Sequence, residues 1–204
     1  GNITINTNSN KINNTHGKII ASENGFISAS IIDNTEGIIS GKNTEILLKE
    51  NGQLFNSHGK VSGLENVKII GGIQENKLGS IYAKNLLMDT QNEILNNEEG
   101  KIHSYESLSI SSADLNNKSG TIYSGEQLSI KSQAIDNSLG KIKTDGESQI
   151  NANSIMNTER SITAKNSNII LGINNGIINE KGEIYAAENL QIEGSLTNNQ
   201  QGLV

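Results

Sequence analysis

The chain has 204 residues, of which 33% are hydrophobic and only 3% aromatic, with no Trp, Pro or Cys and a net charge of -6. Missing cysteine excludes disulfides, zinc–thiolate centres and thiol nucleophiles, and lysines placed singly among Glu and Asp offer no basic stripe for nucleic acid. No run approaches the roughly 18 apolar residues of a membrane span, and Gly1-Asn2-Ile3-Thr4 has no basic region leading into an apolar one, so neither a span nor a signal peptide is predicted.

One pattern returns from end to end: aliphatic, any, Asn, any, any, Gly, any, aliphatic, as in Leu115-Asn116-Asn117-Lys118-Ser119-Gly120-Thr121-Ile122. With the glycine as position 0, the copies start at Gly17, Gly37, Gly59, Gly79, Gly100, Gly120, Gly140, Arg160 in place of Gly, Gly182 and Gly202, at intervals of 20, 22, 20, 21, 20, 20, 20, 22 and 20. Position -3 is Asn in every copy: Asn14, Asn34, Asn56, Asn76, Asn97, Asn117, Asn137, Asn157, Asn179 and Asn199. Position +2 is Ile or Val throughout, from Ile19 to Val204. A period of this length held over a whole chain means stacked units that bury their faces only against one another. Residues 1–204 are therefore read as a single elongated segment, and because the last copy stops at Val204, just after its aliphatic position, as a piece of a longer protein.

Within a copy the elements run in a fixed order. The turn at position 0 carries Gly, expected to supply a positive φ, so that either Arg160 is strained there or its turn differs. A first strand follows around +2 and +4, with +4 always small, from Ala21 to Ala186. A second lies around +8 and +10, where the +10 residues read Ile27, Leu47, Ile69, Asp89, Ile110, Ile130, Ile150, Ile170 and Ile192. A third leads through -5, among them Ile12, Ile32, Leu54, Leu95, Leu115, Ile135, Ile155 and Ile177, to the Asn at -3. Period-two alternation in three short pieces, without helical periodicity, predicts an all-β parallel β-helix of about ten coils with three strands each. Asn, in phase with the inward positions, is placed to pass amide hydrogen bonds from coil to coil. The long copies carry extra residues between the second and third strands, near Asn51-Gly52, Met88 and Asn175-Gly176, so one corner is expected to bulge in coils two, four and eight and the others not.

The run from Leu115 through Gly120 and Ser124-Gly125-Glu126-Gln127-Leu128-Ser129-Ile130 resembles the haemagglutinin repeat of filamentous haemagglutinin-like exoproteins. The likeness covers nearly the whole chain and is strongest from Leu95 to Ile150. It implies a right-handed parallel β-helix from a large surface adhesin, or from a contact-dependent growth inhibition exoprotein. Such proteins are secreted to the surface of Gram-negative bacteria through a dedicated outer-membrane transporter partner.

Candidate chemistry is sparse. Asp33 and Asp136 share position -4 but lie five coils apart, and Asp89, Asp114 and Asp145 fall in different columns, so no carboxylate pair is placed for glycosidic cleavage. His16, Glu36 and His58 stack at position -1, yet the outer two would stand ~9.6 Å apart. Polar turn residues are the default reading, and neither a metal nor another cofactor is expected. Tyr82, His103 and Tyr123 fill the outward +3 column of coils four to six with Tyr105 close by, a concentration that either strengthens the sheet or binds a sugar or protein. The expected function is a non-enzymatic structural and adhesive shaft, facing a protein or glycan receptor on a host or neighbouring cell. The alternatives are a toxin-delivery shaft and a polysaccharide-cleaving β-helix enzyme.

Overall fold

A computed structural model describes residues 1–7 and 10–204. Among them there is no helix, and every paired strand runs parallel to its neighbours. Each side of one coil pairs with the same side of the next: Lys101, Ile102, His103 and Ser104 stand opposite Thr121, Ile122, Tyr123 and Ser124. The chain thus winds as a β-solenoid of about ten turns. At roughly 4.8 Å per turn, nine intervals give a rod on the order of 43 Å long.

The sixth coil shows the three sides separately, as Thr121–Ser124, Gln127–Lys131 and Ala134–Asp136. Elsewhere a strand bends through a corner without breaking, as in Ile38–Phe55. Alternation explains the core. Position +2 points inward on the first side, and Ile39, Val61, Ile81, Ile102, Ile122, Ile142, Ile162 and Ile184 are at most 1% exposed. Each such side chain contributes roughly 1.5 to 3 kcal/mol and rests on its own kind in the coils above and below.

The second side corrects the sequence-based register. Its inner column is Ile27, Ile46, Ile69, Met88, Ile110, Ile130, Ile150, Leu171 and Ile192. Leu47, Asp89 and Ile170, expected inside, occupy the adjacent outward positions, and Ile170 is 38% exposed. The cause is the corner after position +4. It is one residue shorter in coils two and four, where Gly41 leads to Asn43 and Tyr82 to Asn85 with shifted register, and one longer in coil eight. A slip of one residue exchanges the two faces of a strand, so Met88 fills the place where Asp89 would have been a buried charge. Length variation is therefore divided between two corners, not confined to the one near Asn51, Met88 and Asn175. Coil three has its own irregularity: Ile73 pairs with Leu54 while Glu75 pairs with Phe55, leaving Gln74 as an extra residue.

The repeat turn also differs from expectation. Positive φ falls on the residue before the glycine, from His16 (55°) and Glu36 (53°) to Lys181 (51°) and Gln201 (55°). Glycine is needed for close approach instead. A Cβ on Gly79 or Gly140 would stand 2.1 Å from the backbone oxygen of the preceding coil's Asn56 or Asn117. Arg160 shows what yields. Glu159 keeps its φ of 60°, but two hydrogen bonds are missing. One joins position 0 to the Asn carbonyl at all nine glycine turns, and the other is the Ser161 N–H to Gly140 O bond that would match Lys141 to Gly120.

Candidate functional site

Nine side-chain bonds run along the rod, each Asn Nδ2 donating to Oδ1 of the Asn one coil on. They measure 2.7 Å from Asn14–Asn34 through Asn157–Asn179, and 2.8 Å for Asn179–Asn199. Most of these asparagines are fully buried; Asn14 is nearly so and Asn199 half-buried. The second amide proton of Asn117 faces the carbonyls of Gly120 and Lys141 at 3.5 and 3.2 Å, and its backbone N–H donates to Asp136 O at 2.7 Å. Only a side chain that carries a donor and an acceptor together can extend such a chain, which selects the amide over a carboxylate at a buried position.

The position before the ladder supplies the turn. Asn13, Asp33, Asn96, Asn116, Asp136 and Asn198 each accept a hydrogen bond from the N–H two residues on. Asp33 and Asp136, weighed above as carboxylates for catalysis, are turn acceptors. Burial alone would raise the Asp33 carboxyl, but hydrogen bonds from Thr35 and Lys11 outweigh it and hold the group below its ordinary range.

The aromatic residues do meet on the outer face of the first side. Tyr82 and Tyr123 stand opposite His103 on either side in register. The His103 ring lies 4.6 Å from Tyr123 and 4.7 Å from Tyr105, tilted by 43° and 57°. Lys60 Nζ sits 4.7 Å above the Tyr82 ring. Burial lowers the pKa of His103, and its Nε2 is enclosed without a partner among the described residues. Tyr105 is 61% exposed. Beside the rings a trough of about 360 Å³ is lined by Ser80, Tyr82, Lys101, His103, Tyr105 and Thr121.

Tyr123 donates its hydroxyl to Asp145 Oδ2 at 2.7 Å, and chiefly for that reason its phenol titrates above its usual range. A folded pKa above the unfolded one adds stability that is fully present below the unfolded phenol pKa and lost as pH rises through the folded value. In a spectrophotometric titration, Asp145→Asn is expected to remove a late phase of tyrosine ionisation and to flatten the alkaline loss of stability. An unchanged titration would mean that the bond does not form in solution.

Two of the three stacked turn residues touch: His16 Nδ1 and Glu36 Oε2 are 3.0 Å apart, both well exposed, and His58 does not join them. Among the described residues no three His, Cys, Asp or Glu side chains are grouped to hold a metal ion.

Two features escaped the sequence. A second, surface ladder links Asn24, Asn43, Asn66 and Asn85. In it each amide donates back to the coil before, the reverse of the buried ladder, and Ser107 continues it through a bond to Asn85 Oδ1. The shortened corners of coils two and four displace this column in the count, which hid it. The lysines, scattered in sequence, are ordered in space: position +1 carries Lys18, Lys60, Lys101 and Lys141 in alternate coils, with Ile38, Ser80 and Thr121 between them.

A parallel β-solenoid closed by a buried asparagine ladder, with variable side chains outside it, defines a class of repeat scaffold. The haemagglutinin repeat family model matches residues 1–62, 51–185 and 171–204, and the chain belongs to that family. No curated protein and no solved structure matches it.

Proposed function

We propose that this segment is the structural and adhesive shaft of a secreted surface protein, exported through an outer-membrane transporter and holding binding or effector regions away from the cell. The observation that carries the reading is the unbroken ladder, nine amide bonds in line of which eight are buried and the last half-buried, which ties each coil to the next from Asn14 to Asn199. Stiffness then comes from the repeated interface and reach from the number of coils. Of the acids weighed for an enzyme, Asp33, Asp89 and Asp136 accept hydrogen bonds within turns and Asp145 accepts one from Tyr123.

The chain has no cysteine, so exposed Thr15 and Gln200 are open to replacement by Cys for spin labelling. A narrow distance distribution on the order of 43 Å is expected, shortening by about 4.8 Å when one coil, residues 121–140, is deleted. A broad distribution would overturn the rigid shaft, and release of reducing sugar from a polysaccharide would overturn the non-enzymatic reading.

A further inference from the structure

We propose that the first side of the solenoid binds a linear acidic polysaccharide carrying one carboxylate on every second sugar, laid along the rod in the trough between its lysine and aromatic columns. The proposal does not depend on the shaft reading, because the spin-label distances are indifferent to it.

The spacing carries the argument. Lys18, Lys60, Lys101 and Lys141 recur every second coil in strict register. Their Cα atoms are therefore about 9.6 Å apart and the four span roughly 29 Å. Two linked pyranoses cover a similar length, so a chain charged on alternate sugars meets the lysines one to one. The phosphates of a duplex strand recur at about 3.4 Å and have no such match.

The charges are also without carboxylate partners, although Lys60 rests over the Tyr82 ring. No carboxylate pairs with any of these four ammonium groups among the described residues; Lys42, Lys118, Lys131 and Lys165 are also without one but form no such column, and Lys11, Lys68, Lys77 and Lys181 have acidic partners. In a chain of net charge -6, counterions for them would have been easy to place. Directly opposed lysines in neighbouring strands repel. With Ile38, Ser80 and Thr121 as spacers, alternation gives the densest row of ammonium groups in which no two are neighbours.

The trough supplies the rest of a sugar site. Ser80 and Thr121 flank Lys101 with hydroxyls, and Tyr82, His103 and Tyr105 form the opposite wall. Pyranose C–H faces pack on aromatic rings, and the exposed Tyr105 ring offers such a face. The His103 ring, packed against Tyr105 and Tyr123, completes that wall.

The probe is a hyaluronan decasaccharide, which bears glucuronate on alternate sugars, titrated into the intact chain by calorimetry at low and at physiological salt. Saturable binding that weakens with salt is expected, with a loss of roughly fivefold for each of Lys60→Gln, Lys101→Gln and Lys141→Gln. Tyr105→Ala is expected to weaken binding while leaving the salt dependence in place. All four positions face outward, so circular dichroism should remain that of the parent. Lys68→Gln and Lys131→Gln, on the second side, should bind as the parent does. Equal binding of a neutral chito-oligosaccharide would overturn the role of charge, and equal or tighter binding of an oligogalacturonate of the same length would overturn the spacing. Tighter binding of a single-stranded oligothymidylate would assign the face to nucleic acid and sink the proposal.

Discussion

Asn117→Ala is expected to destabilise the rod by about 3 to 6 kcal/mol, enough to approach the whole stability of many domains. The side chain is buried and stands mid-chain in the ladder, accepting from Asn97 Nδ2 and donating to Asn137 Oδ1, both at 2.7 Å. Truncation orphans one proton of Asn97 and the only side-chain acceptor of Asn137, both fully enclosed. Each buried group left unmade costs about 1 to 3 kcal/mol, and the space vacated by the amide adds a cavity term. Asn117→Asp should be no better, because a carboxylate cannot donate to Asn137. Position in the rod supplies the control. Asn199 is half-buried and has one ladder bond, so Asn199→Ala should cost about 1 kcal/mol or less. Denaturant titration would measure both. Equal effects at the two sites would mean that the ladder does not carry the load assigned to it. Because coils interact only with neighbours, a weakened central interface should also split the transition into two steps.

Why the ladder could be read from sequence and the second side could not follows from what each column tolerates. A buried amide bonded on both sides cannot be replaced by another side chain, so Asn persists at -3 in all ten copies and its phase against Ile at +2 survives any change of length elsewhere. The inner positions of the second side accept Ile, Leu or Met alike, and an apolar residue stands on both faces near coils two and eight, Ile46 beside Leu47 and Leu171 beside Ile170. A fixed count from the glycine therefore falls on the wrong face wherever the corner is shortened, as in coils two and four, or lengthened, as in coil eight. Asp89 in a supposed core column was the one visible sign of error, since a lone buried carboxylate is costly. The aromatic group was legible because Tyr is rare and the first strand follows the glycine with no intervening corner. The lysine row follows the same undisturbed count, but charge tallied along the chain shows only scattered Lys, and its order emerges when coils are stacked. The surface Asn ladder lies beyond the variable corner and was lost with it.

Gly120→Ala, one methyl group at the same turn, is expected to cost about 2 to 4 kcal/mol. The new Cβ would stand 2.2 Å from Asn97 O, 2.7 Å from Asn117 Oδ1 and 2.9 Å from Asn97 Nδ2. The first of these is backbone held in the adjoining coil, so relief requires coils five and six to part at this corner. Strain in φ is not the cause, since the positive value belongs to Ser119, at 55°. Arg160 shows the relaxed outcome: the ladder bond from Asn137 to Asn157 survives at 2.7 Å, while the two backbone bonds of the turn are gone. Two backbone bonds at about 0.5 to 1.5 kcal/mol each, with residual crowding, give the estimate. The reverse change should help. Arg160→Gly would let both bonds form, offset by the lost Arg160 Nε to Leu139 O bond and by the backbone freedom of glycine, for a net gain of about 1 kcal/mol. The pair of variants is read by chemical denaturation under one set of conditions. Opposite signs are required, and a neutral Gly120→Ala together with a destabilising Arg160→Gly would show that close approach is not what selects glycine at this turn.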